Sequence, residues 1–117
     1  MPQSEKHKGS LKIGAIISAN EPELVWNAFR YGVKAIDNGH SMKVFLLGKG
    51  VEAEEIEDSK FDVRKMMKQF VDKGGVILAC GTCLKIRKKG GTETCPISTM
   101  QDMLNLTVES DRVLTFG

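Results

Sequence analysis

Hydrophobic positions along the chain fall into short unbroken runs separated by longer amphipathic stretches. "LKIGAIIS" (11–18) is a β-branched apolar run of the kind buried on both faces of a sheet. In the stretch that follows, Leu24, Val25, Ala28, Phe29, Gly32 and Ile36 share one face at helical spacing. Asn20 reads as its N-cap, Pro22 and two glutamates occupy the first turn, and Gly39 supplies a left-handed stop. "SMKVFLLG" (41–48) is a second strand, leading into an acidic loop, "GKGVEAEEIEDS". Ser59 or Asp62 then caps a helix with the stripe Val63, Met66, Met67, Phe70 and Val71, ended by Gly74-Gly75.

"VILAC" (76–80) is the third strand, followed by a short basic helix over 84–89 and Gly90-Gly91. "TETC" (92–95) reads as a brief fourth strand or a loop. Ser98 and Gln101 have capping-box spacing for a helix carrying Met100, Met103, Leu104 and Val108, and "RVLTF" (112–116) is the last strand. Strict alternation with short connections predicts an α/β fold: a parallel sheet of four to five strands with helices on both faces. In such sheets ligands and catalytic groups gather beyond the carboxyl ends of the strands.

A length of 117 residues fits a single domain over 11–117 preceded by a flexible polar tail, 1–10. With 17 basic and 15 acidic residues the net charge is +2, too mild to call for nucleic acid or another polyanion. No run approaches the ~20 apolar residues of a membrane span, and the N-terminal apolar run, interrupted by Lys12, is too short for an export signal. Three cysteines are an odd count, which points to reduced thiols and a cytoplasmic protein rather than a disulfide framework.

The chemistry concentrates in "VILACGTCLKIRKKGG" (76–91). Cys80 and Cys83 bracket a Gly-Thr turn where a strand ends, a place where small buried cysteines have little reason to stand. Their C-x-x-C spacing suits a zinc ligand pair, with Cys95, His40 or His7 as further ligands, but none of those has a close partner in sequence. A dithiol exchanger also fits a C-x-x-C at a strand–helix junction, though no aromatic precedes the first cysteine. A sulfur carrier needs a reactive thiol and a second one nearby, with no metal and no cofactor. Lys85, Arg87 and Lys88 stand beside the pair, placed to tune the thiols or to dock a partner. "GKG" (48–50) lacks phosphate-loop spacing and is read as a turn. The methionine pairs 66/67 and 100/103 read as packing or subunit-interface residues.

The A-C-G-T-C block, together with "ISTMQDMLNLTVESDRVLTFG" and the opening strand–helix–strand, resembles the DsrE/DsrF-like family, which includes sulfur-relay subunits. The resemblance runs from Leu11 onward. It implies a flavodoxin-like fold, assembly into homotrimers or homohexamers, and persulfide transport between donor and acceptor thiol proteins. The carrier cysteine of relay members maps onto Cys80, with Cys83 assisting or resolving. A non-catalytic binding module and a C-x-x-C redox protein remain the alternatives. "LKIRKKGG" is longer and more basic than the L-D-A-R-G-like stretch usual after this block.

Overall fold

The computed structural model describes residues 9–117. The tail assigned to 1–10, and with it His7, lies almost wholly outside the described residues. Five parallel strands, β1 (Lys12–Ile17), β2 (Ser41–Leu46), β3 (Val76–Cys80), β4 (Ile97–Ser98) and β5 (Arg112–Phe116), form one sheet in the order β4-β3-β2-β1-β5. Four α-helices connect them: α1 (Pro22–Asp37), α2 (Val63–Asp72), α3 (Gly81–Ile86) and α4 (Met100–Glu109).

The strand order sets the layers. β1 to β4 step across the sheet in one direction, so right-handed crossovers put α1, α2 and α3 on one face. The return from β4 to β5, beyond β1, runs the other way and puts α4 on the opposite face. Gly14 records this: a β-carbon there would lie 2.6 Å from Leu106 Cδ2, because α4 rests directly on β1. Since side chains alternate along a strand, Gly14 and Ile16 face α4, while Ile13, Ala15 and Ile17 face α1 and α2. On that second face Phe29, Phe70, Val44, Met67 and Ile77 are fully buried, with the Phe29 and Phe70 rings edge to face at 5.5 Å.

Several local expectations change. The cap of α1 is Glu21, not Asn20, and its carboxylate accepts the N–H groups of Glu23 and Leu24. Asn20 instead donates to Glu52 across the molecule. Asp62, one of the two expected caps, accepts the Lys65 N–H at the head of α2. The acidic loop is a 3₁₀ helix, Gly48–Glu55. The basic helix begins earlier than expected, at Gly81, and ends by Ile86, with Lys88 in the left-handed region at φ 57°.

Residues 92–95 are a closed turn rather than a strand. The Thr92 N–H donates to the Cys95 carbonyl, and the Cys95 N–H donates back to Thr92 Oγ1. Pairing with β3 starts only at the Pro96 carbonyl, which accepts the Ala79 N–H. The capping box of α4 is Thr99 with Asp102, one residue beyond the expected Ser98 and Gln101. Leu106 is the helix's buried residue and Met103 is partly covered, while Met100, Leu104 and Val108, expected on its apolar face, are exposed.

Candidate functional site

The site is built where β3 ends. Cys80 is the last residue of the strand and also the N-cap of α3, so its side chain folds under the first turn of the helix. Its sulfur accepts the Cys83 N–H at 3.5 Å, and the residue is 3% exposed. Cys83, three residues on, is half-buried, and its sulfur accepts the Gly48 N–H at 3.2 Å. The two thiols expected from sequence are thus brought together, but Cys83 is the more exposed residue of the two. A carrier cysteine was expected to be exposed, and Cys80 is not.

Burial pushes the Cys83 thiol above its ordinary value, and hydrogen bonding with Cys80 adds to this. The Gly48 N–H and the charge of Arg87 act in the other direction.

The loop that delivers Gly48 is held tightly. Gly50 packs against the backbone of Ile17 at the end of β1, where any β-carbon would meet the carbonyl oxygen. From there the 3₁₀ helix presents three glutamates to the chain after α3. Glu52 pairs with Arg87 at 2.6 Å, Glu55 pairs with Lys89, and Glu54 accepts from Thr92 Oγ1 at 2.7 Å. Of the basic residues expected to tune the thiols, Arg87 is therefore engaged by a carboxylate, while Lys85 and Lys88 are exposed.

Sequence reading missed the part played by Gly48 and by the glutamates. The signal was present as an acidic "EAEE" and a basic "KIRKK" of complementary charge, but only the fold brings them together.

The third cysteine stands apart from this chemistry. Cys95 is buried, and burial first, then Glu54, pushes its thiol up to about 12. Such a thiol is protonated and unreactive at neutral pH. Among the described residues no group of three or more His, Cys, Asp and Glu side chains is placed to hold a metal ion. Among them also, no helix is long and apolar enough to cross a membrane.

The helices leaving the neighbouring strands β3 and β4 pass to opposite faces, which makes this end of the sheet a topological switch point. A crevice of about 420 Å³ opens there, lined by Gly81, Thr82, Lys85, Ile97, Thr99 and Met100. Gly81 and Thr82 are the two residues between the cysteines.

The family model described as DsrE/DsrF-like matches residues 11–116. An uncharacterised protein of Methanocaldococcus jannaschii is 30% identical over 100 residues, covering 80% of this chain and 88% of that protein. One from Methanopyrus kandleri is 29% identical over 100 residues, covering 80% of this chain and 83% of that protein. The crystal structure of the YchN protein from E. coli matches with a TM-score of 0.77 at 19% identity, covering 93% of this chain and all of that one. That last likeness is one of fold.

Proposed function

The chain belongs to the DsrE/DsrF-like family, and on that premise we propose that it relays sulfane sulfur as a cysteine persulfide. The observation that carries this reading is the pair itself. Cys83 is half-buried and accepts a backbone N–H from Gly48, and the buried Cys80 lies beside it at the switch point of the sheet.

The Cys83 thiolate attacks the outer sulfur of a donor persulfide, R–S–SH. A Cys83–S–SH bond forms, the donor S–S bond breaks, and the donor leaves as its thiolate. An acceptor thiolate then takes the outer sulfur in the same way and returns Cys83 as thiolate. No net oxidation occurs in either step. Cys80 is the resolving thiol: its attack on the inner sulfur of Cys83 would expel hydrosulfide and leave a disulfide. In this reading Cys83 takes the loading role that sequence reading gave to Cys80, because it is the more exposed of the two residues.

Lys85 and Lys88, exposed beside the pair, are suited to docking acidic groups of the donor and acceptor proteins. The chain acts as a homo-oligomer, a trimer or hexamer, in this reading. What supports it is an apolar surface on α4, where Met100, Leu104 and Val108 are 60%, 54% and 73% exposed.

The test is intact mass measurement of the reduced protein after incubation with polysulfide, on the wild type, Cys83→Ser and Cys80→Ser. A gain of about 32 Da, reversed by reductant and lost in Cys83→Ser, supports the relay through Cys83. Loss of the gain in Cys80→Ser alone would return the loading role to Cys80. A loss of about 2 Da in the wild type, with no gain of about 32 Da in Cys80→Ser, where the disulfide cannot form, would mark a dithiol exchanger instead. No mass change in any variant would end the sulfur reading.

A further inference from the structure

The basic stretch after the cysteines contains one residue with a more specific position than the rest. Arg87 lies one helical turn beyond Cys83, and its Nη1 donates to the Cys83 carbonyl at 3.2 Å. Its Nε donates to the Glu52 carboxylate at 2.6 Å. The two side chains are only 24% and 32% exposed, so the pair is partly shielded from water. Glu52 is fixed in turn by Asn20 Nδ2 at 3.0 Å, at the entrance to α1. The arginine and then the asparagine hold its carboxyl below the usual carboxylate range, so it stays charged through neutral pH.

Both ends of this arrangement meet Cys83. The 3₁₀ helix that carries Glu52 opens with Gly48, whose N–H points at the Cys83 sulfur. One short element therefore supplies a donor to the sulfur and the anchor of the arginine that grips the same residue's carbonyl. We infer that Arg87 and Glu52 are positioning residues for Cys83: the arginine holds the residue in place and favours its thiolate, and the glutamate fixes the arginine while moderating its charge. The biological use of this device rests on the sulfur-relay reading, but its existence does not.

The other charged groups around Cys83 are accounted for. α3 and the residues just after it carry Lys85, Arg87, Lys88 and Lys89, with Cys80 at the helix cap, and the 3₁₀ helix carries Lys49, Glu52, Glu54 and Glu55. Glu54 faces Thr92 and Cys95, and Glu55 holds Lys89. β4 brings no titratable side chain. Cys80 and Arg87 act on Cys83 directly, and Glu52 acts through Arg87.

A simple structural clamp makes a different prediction from a charge-balanced one. If the pair merely fastened α3 to the 3₁₀ helix, removing either charge would loosen the site in the same sense. If it balances charge at the thiol, the two removals have opposite signs. The experiment is the pH dependence of Cys83 alkylation by iodoacetamide, followed by peptide mapping so that Cys80 and Cys95 are resolved separately. It is run on the wild type, Glu52→Gln, Arg87→Gln and Arg87→Lys, with circular dichroism to verify the fold of each.

Arg87→Gln is expected to move the alkylation midpoint to higher pH and slow reaction at pH 7 by roughly threefold. Glu52→Gln is expected to move it to lower pH and speed reaction by a similar factor, again roughly threefold. Arg87→Lys, which keeps the charge but not the planar fork, should fall between Arg87→Gln and the wild type. Shifts of the same sign in the two charge-removing variants, no shift in either, or Arg87→Lys matching Arg87→Gln would overturn the inference. Opposite shifts in a protein that never gains sulfur mass would keep the device and sink the relay. Sulfur loading without the shifts would do the reverse.

Discussion

Gly50 and Ile17 meet backbone to backbone, with no room for a side chain between the 3₁₀ helix and the end of β1. The contact lies two residues beyond the N–H that Gly48 gives to Cys83, so the packing of this loop on the end of β1 helps to fix where that donor points. Gly50→Ala should force these two backbones apart and cost about 2 kcal/mol. Urea unfolding would read the loss as a lower midpoint at unchanged slope. A variant as stable as the wild type would mean that the approach is not obligatory.

Cys95 should make the protein sensitive to alkali. Its thiol ionises near 9.0 when unfolded and only at about 12 when folded. The stabilisation from keeping it neutral is complete below pH 9 and is lost as pH rises toward 12. Between those limits the wild type should lose stability faster with pH than Cys95→Ala, which lacks the group. Parallel stability–pH curves for the two proteins would refute this.

The frame of α4 predicts two different mutational costs. Thr99 accepts the Asp102 N–H, and the Asp102 carboxylate accepts the Thr99 N–H. Thr99→Ala should therefore cost about 1 kcal/mol. Gln101→Ala, outside the box, should stay within about 0.5 kcal/mol of the wild type. Thermal denaturation distinguishes them, and the opposite ranking would place the box where the bare sequence had it.

The outward stripe on α4 predicts a change of assembly without a change of fold. Leu104→Glu puts a charge at the centre of Met100, Leu104 and Val108, all exposed in the single chain. Sedimentation should show the wild type as an oligomer and this variant as a smaller species with unchanged circular dichroism. A monomeric wild type would rule out the homo-oligomer.

Much of this protein follows from its sequence. The predominantly apolar, β-branched runs of β1, β2 and β3 announce strands buried over most of their length, with Lys12 and Lys43 toward the strand starts. The stripe of α2 fixes its buried side, and alternation of strand and helix leaves a parallel sheet as the economical arrangement. The pairing of Cys80 with Cys83 at the end of β3 is equally legible, since three residues span less than one helical turn.

Tertiary structure decided the remainder. Whether Asn20 or Glu21 caps α1 depends on which side chain a distant Glu52 draws away. The frame of α4, one residue along from the expected one, depends on how Leu106 seats against Gly14. The exposure of the two thiols is settled by α3 beginning directly at Gly81, which folds Cys80 inward and leaves Cys83 at the rim. The partners of the basic residues lie 34 and 35 positions away. Local pattern specifies which residues form an element and which face is apolar. Pairing across the sheet specifies which charges meet and which sulfur faces solvent, because those contacts exist only once the crossovers have closed.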